Sequence, residues 1–193
     1  MSSFEFLSVL ISVVIGLGIA NLLTGIGRLL HGRMQFRLSS IHLAWTLFVF
    51  LYMVIYWWTV VFGWQSWENW NILLFLFVLA YGVLLYLLSV ILYPPEITED
   101  WDIDSHFFAM RRWFFGFFAA MIVLEIVDSY LKAHLDQFAA PYWVLMTSWL
   151  ALAVVGWISS SRRIHRLLVT YVILSLLTWV GFQLRDLDWP RAG

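Results

Sequence analysis

Apolar residues run almost without interruption through six stretches of the chain, approximately Phe4–Leu30, His42–Phe62, Ile72–Leu92, Phe107–Leu131, Tyr142–Ile158 and Leu167–Leu184. A bilayer core of about 30 Å takes roughly 20 helical residues at about 1.5 Å each, and each stretch is near that length. The pattern predicts an all-α integral membrane protein, a six-transmembrane-helix bundle forming a single polytopic domain over residues 1–193. No basic segment precedes the first stretch, and it exceeds the roughly 7–15 apolar residues of a signal-peptide core, so Phe4–Leu30 is expected as a retained first span. Pro94-Pro95 should end the third span and Pro141 should open the fifth, since proline lacks the N–H that a helix interior needs. No proline falls inside a predicted span, so broken helices of the transporter type are not expected.

The 193 residues are 63% hydrophobic and 12% charged. About a quarter of a soluble domain is charged, so no stretch here can form one. A net charge of −1 and the lack of any basic patch beyond a few arginines argue against a nucleic-acid partner. The absence of cysteine removes disulfides, thiolate chemistry and cysteine metal sites.

Positive charge suggests an orientation. Arg28, Arg33, Arg37, Arg111, Arg112, Arg162, Arg163 and Arg166 fall at the first, third and fifth connections, against Lys132, Arg185 and Arg191 on the other side. The arginine-rich side should be cytoplasmic, which leaves both termini non-cytoplasmic. Short connections are typical of the bacterial inner membrane. Trp57, Trp58, Trp64, Trp67 and Trp70 crowd one predicted membrane face with Trp143 and Trp189, while Trp101 and Trp113 flank the other. Amphipathic indoles prefer the headgroup layer, so these are read as interface anchors, together with Arg28 and Lys132 snorkelling to opposite faces. Lys132 could alternatively pair with Glu5.

The two halves echo one another. Asn21, Thr24 and Arg28 in IANLLTGIGRLL share their spacing with Glu125, Asp128 and Lys132 in VLEIVDSYLKAH, each trio on one helical face. The strings around Tyr81 and Tyr171 are also alike. A three-plus-three duplication with inverted halves would explain both.

Glu125 is the residue on which function is most expected to turn. A charged side chain near the bilayer centre costs about 2.5–3.5 kcal/mol on insertion scales, so it should face protein or water. Asp128, one turn away, could share a proton with it, and two carboxylates on one face suit cation coordination or proton relay. Asn21 and Thr24 would add neutral oxygens to that pathway. Gly18 and Gly25 lie on the face of Asn21, with Gly16, Ala20 and Gly27 on the next. Small residues at such spacing let helices approach closely, within the bundle or in a homo-oligomer.

Other chemistry finds little support. His31, His42, His106 and His165 fall near one membrane face and His134 near the other, none mid-span, so no haem pair and no metal centre is expected. Asp100, Asp102 and Asp104 begin like a calcium loop, but Ser105 stands where glycine is needed and Arg111 where the closing glutamate belongs. With Glu96 and Glu99 they read instead as a solvated acidic loop pairing with Arg111 and Arg112. No hydrolase, zinc-protease or phosphate-loop motif occurs, so neither a catalytic residue nor a cofactor is assigned. The expected function is a small transporter or channel for a cation, proton or small polar solute. The alternative is a non-transporting membrane scaffold whose polar residues serve helix packing.

Overall fold

A computed structural model describes residues 3–31, 39–65, 67, 69–93, 102–132 and 140–185. Arg33, Arg37, Pro94, Pro95, Glu96, Glu99, Asp100, Trp101, His134, Trp189 and Arg191, with the side chains of His31 and Arg185, lie outside the described residues. The helices are α1 (Ser3–His31), α2 (Ser40–Gly63), α3 (Ile72–Leu92), α4 (Ile103–Lys132), α5 (Ala140–Ile158) and α6 (Arg162–Arg185). All six are long and apolar enough to cross a membrane. Helices are the form such segments must take, because lipid offers backbone N–H and C=O groups no partners. The protein is therefore an integral, multi-pass membrane protein.

Capping side chains explain where several helices start. Ser39 accepts from the His42 N–H at 3.3 Å, and Asn71 accepts from the Leu74 N–H at 2.9 Å. Asp102 accepts from the Ser105 N–H at 3.1 Å, so α4 begins at Ile103 rather than at Phe107. The Ser105 hydroxyl donates to the same carboxylate and, as the larger of these effects, holds the Asp102 carboxyl below the usual carboxylate range. At the start of α6, His165 N–H bonds the Ser161 carbonyl and its Nε2 donates to the Ser159 carbonyl at 2.9 Å. This carries α6 back to Arg162, ahead of the expected Leu167.

Helix α2 is the axis of the bundle, touching α1, α3, α4 and α6, while α1 lies along α3 and α4 along α5. The outward surface is apolar, with leucines such as Leu17, Leu30, Leu73 and Leu167 exposed. The buried interior holds an aromatic cluster centred on Trp45, whose ring meets Phe48, Phe114, Phe115 and Phe118 edge-on or nearly so at 5.0–5.7 Å between centroids. Such tilted pairs set the electropositive ring edge against the electronegative face.

The packing gives the three-plus-three duplication no support. Its first half would pair α1 with α3, as observed, and its second would pair α4 with α6 equally. Helix α4 instead meets α6 at the N-terminal end of α6. There Arg162 bridges Asp104 at 3.0 Å and the His165 ring sits among Phe107, Phe108 and Phe115. Asp104 thus pairs with Arg162 rather than with Arg111 or Arg112. The Tyr81–Tyr171 likeness also fails, since Tyr81 is buried whereas Tyr171 is exposed and donates to Ser148.

Helices α4 and α5 are locked by a reciprocal pair of glycines. A side chain at Gly156 would strike the Phe115 ring, and one at Gly116 would come within 2.8 Å of Trp157. Each helix thereby seats the other's aromatic ring against bare backbone. Gly156→Val should lower stability by about 1–3 kcal/mol through overpacking, measured as reversible unfolding in mixed micelles. Gly181→Ala, which meets nothing within 4 Å, should not lower it.

Candidate functional site

Two phenols from two helices converge on one carboxyl oxygen of a third helix inside the bundle. Tyr52 stands half-way along α2 and Tyr81 half-way along α3, both buried. The Tyr52 hydroxyl lies 3.1 Å from Glu125 Oε2, and the Tyr81 hydroxyl 2.7 Å from the same atom. The two hydroxyls are themselves 2.7 Å apart. Glu125 is part-buried on α4, its carboxyl drawn to the phenols. These phenols do what water would do elsewhere, solvating the carboxyl inside an apolar medium.

The tyrosines are themselves held in place. The Tyr52 ring packs on Phe48 at 5.7 Å and Trp149 at 6.1 Å. Tyr81 lies 4.4 Å from the Tyr56 ring, and Tyr56 donates to the Val78 carbonyl at 2.8 Å. Gly82, beside Tyr81, admits Ile11 of α1. With both rings fixed by packing, the hydroxyl positions are set before any proton or ligand arrives.

Asp128 belongs to a different site. It is buried, accepts from Trp64 Nε1 at 3.0 Å and forms an ion pair with Lys132. Lys132 also donates to the Thr59 carbonyl at 3.3 Å and lies 5.4 Å over the Trp64 ring. The bareness of Gly63 leaves room for its methylenes. The expected carboxylate pair is thus two separately partnered acids on one face of α4. Lys132 turns inward to Asp128, in place of the expected snorkelling or a pairing with Glu5, because an i, i+4 partner was already buried.

Trp64 is not the interface anchor expected of it. It is fully buried and serves the ion pair, not the headgroup layer. Trp67 is half-buried and donates to the Asn69 carbonyl at 3.2 Å, whereas Trp57 and Trp58 are exposed as interface anchors would be.

No match is found to the chain among protein-family models, curated proteins or solved structures. Its chemistry must be read from its own residues.

Asn21 and Thr24 do not share a wall with Glu125. Asn21 Nδ2 donates to the Ser89 carbonyl of α3 at 2.9 Å, two turns along that helix from Tyr81. Thr24 is exposed on the outward side of α1, as is Arg28. The glycines divide likewise. Gly18 faces Met53 and Gly25 faces the Tyr93 ring, whereas a Cβ added at Gly16 or Gly27 would meet nothing within 4 Å and Ala20 is exposed. One small-residue face of α1 therefore packs inside the bundle, and the neighbouring one points out.

The described histidines, His42, His106 and His165, are structural partners. His42 Nε2 donates to the Leu92 carbonyl at 2.7 Å and His106 Nε2 to the Ile91 carbonyl at 3.1 Å. Two rings from α2 and α4 thus satisfy carbonyls in the last turn of α3, which has no further turn to accept from. Among the described residues, no three His, Cys, Asp or Glu side chains gather as a metal site would require.

Tyr52 and Tyr81 were not singled out as site residues on sequence grounds, although a phenol mid-way along an apolar run is itself a signal. Its hydroxyl needs a partner there as much as a carboxyl does. Asp128→Ala should destabilise by about 2–3 kcal/mol by leaving the Lys132 ammonium without its partner, less than for a fully buried pair because Lys132 keeps 17% exposure. Adding Lys132→Met should recover more than half of that loss in the same unfolding measurement.

Proposed function

We propose that this protein is a small multi-pass transporter or channel for a proton, cation or small polar solute, with Glu125, Tyr52 and Tyr81 as its exchange site. The observation that carries the reading is the convergence of a carboxyl on two phenols that stand midway along α2 and α3, where an ionisable group is costly to keep. A carboxyl retained there with its own polar shell suits reversible loading, because phenols can donate to it or accept from it. The Asp128–Lys132 pair lies one turn along α4 and extends the polar track toward the end of the bundle opposite the arginines. In this reading the arginine-rich end is cytoplasmic, the membrane is a bacterial inner membrane and both termini are non-cytoplasmic. The outward face of Gly16, Ala20, Thr24 and Gly27 serves as a homo-oligomer contact.

A scaffold role is the second reading. It is favoured by the number of polar groups that tie one helix to another, such as Asn21 to α3, Trp64 to Asp128 and Trp149 Nε1 to Ser175 at 2.9 Å.

Flux of protons and cations into liposomes holding the purified protein separates the two. Transport should be present in wild type and fall at least tenfold in Glu125→Gln, with insertion and expression retained. Equal flux in the variant, or none from folded wild type under several ion and pH gradients, would sink the transport reading.

A further inference from the structure

The contacts around Glu125 can be counted in protons. Three oxygens, Glu125 Oε2 and the hydroxyls of Tyr52 and Tyr81, lie at 3.1, 2.7 and 2.7 Å from one another. A closed triangle of hydrogen bonds needs three hydrogens, and the phenols own two. If Glu125 were ionised and both phenols donated to it, the Tyr52–Tyr81 contact would set two oxygen lone pairs against each other with no hydrogen between them. If Tyr52 instead donated to Tyr81 and Tyr81 to the carboxylate, the 3.1 Å Tyr52–Glu125 contact, the longest of the three, would hold no hydrogen. A protonated Glu125 supplies the third hydrogen. Each group then donates once and accepts once around the ring, an arrangement in which successive bonds reinforce one another.

We propose that Glu125, Tyr52 and Tyr81 form a closed three-proton ring that stores one proton on Glu125, and that H⁺ is the species exchanged there. A neutral ring also suits its depth, because no net charge is left in the apolar interior. A metal cation would need several lone pairs converging on it, whereas in the closed ring each oxygen already accepts one hydrogen bond and donates another. The assignment of H⁺ as the transported species rests on the transport reading above, whereas the ring rests on the three oxygen contacts.

Loss of the proton has a mechanical consequence. When Glu125 gives H⁺ to water, two hydrogens remain for three contacts, and one contact must open. The three members sit on α2, α4 and α3, so any opening loosens one helix pair. Uptake of H⁺ from water restores the third hydrogen and closes the ring. Proton occupancy is thereby coupled to helix separation without any other moving part. The other ionisable groups near the carboxyl are Tyr56 on α2, Tyr142 on α5, and Asp128 and Lys132 on α4. Asp128 and Lys132 neutralise each other, so they leave the ring's proton count unchanged.

Infrared spectroscopy of the full chain in lipid at neutral pH tests the ring directly. Wild type should show the carbonyl stretch of a protonated carboxylic acid. That band should be absent in Glu125→Gln, retained in Asp128→Asn, and shifted in both Tyr52→Phe and Tyr81→Phe, where the acid loses a partner. The tyrosine variants keep the acid, so the assignment survives even if Glu125→Gln fails to insert. A carboxylate signal from Glu125 in place of the acid band would overturn the proposal, as would an acid band that neither tyrosine variant moves. The band with no flux would uphold the ring and retire the transport reading; flux with an ionised Glu125 would retire the ring and leave transport standing.

Discussion

A carboxyl in the middle of a membrane must be solvated by protein, and the bundle is organised around that requirement. Glu125 cannot hold its place on α4 unless polar groups reach it from elsewhere, and the hydroxyls of Tyr52 and Tyr81 reach it from α2 and α3. The two phenols can do so because their rings are clamped by Phe48, Trp149 and Tyr56. Aromatic packing thus positions the hydroxyls that solvate the carboxyl.

The same logic recurs along the bundle. Near the end of α4, Trp64 turns inward to complete the Asp128–Lys132 pair, and at the end of α3 two histidines take up the last carbonyls. Each device removes an unsatisfied group from an environment that cannot hydrate it, where the penalty is several kcal/mol. Glycine supplies the complementary service by making room. Gly25 accommodates Tyr93, Gly63 accommodates Lys132, and Gly116 and Gly156 accommodate Trp157 and Phe115. Close backbone approach is what brings these side chains within bonding distance.

Much of the architecture was legible because the bilayer imposes one length scale. Ile72–Leu92 is the same in both readings, and the other spans differ by a few residues where caps such as Asp102 extend a helix. Identity of the partners was less legible. Glu125 stood out by its cost, yet its partners are Tyr52 and Tyr81, separated from it by 73 and 44 residues, and only tertiary packing brings them together. Asp128 was paired in expectation with the nearer-looking carboxylate. Its i, i+4 lysine was the better guide, since opposite charges one turn apart on a helix meet by geometry alone. The tryptophans misled in the same way, because residue type at a helix end does not say whether a ring faces headgroups or core. Trp58 faces out and Trp64 faces in, from the same end of α2. The apparent repeat rested on polar spacing, which records helical geometry rather than shared packing.

A double-mutant cycle on unfolding in mixed micelles, pairing Tyr81→Phe with Glu125→Leu, tests most directly whether the phenol holds the acid. Polar cross-helix contacts in membranes give coupling energies averaging about 0.6 kcal/mol and reaching about 1.7 kcal/mol. A Tyr81–Glu125 coupling in the upper part of that range is predicted. Effects that simply add, to within about 0.3 kcal/mol, would mean that Tyr81 and Glu125 are neighbours without being partners.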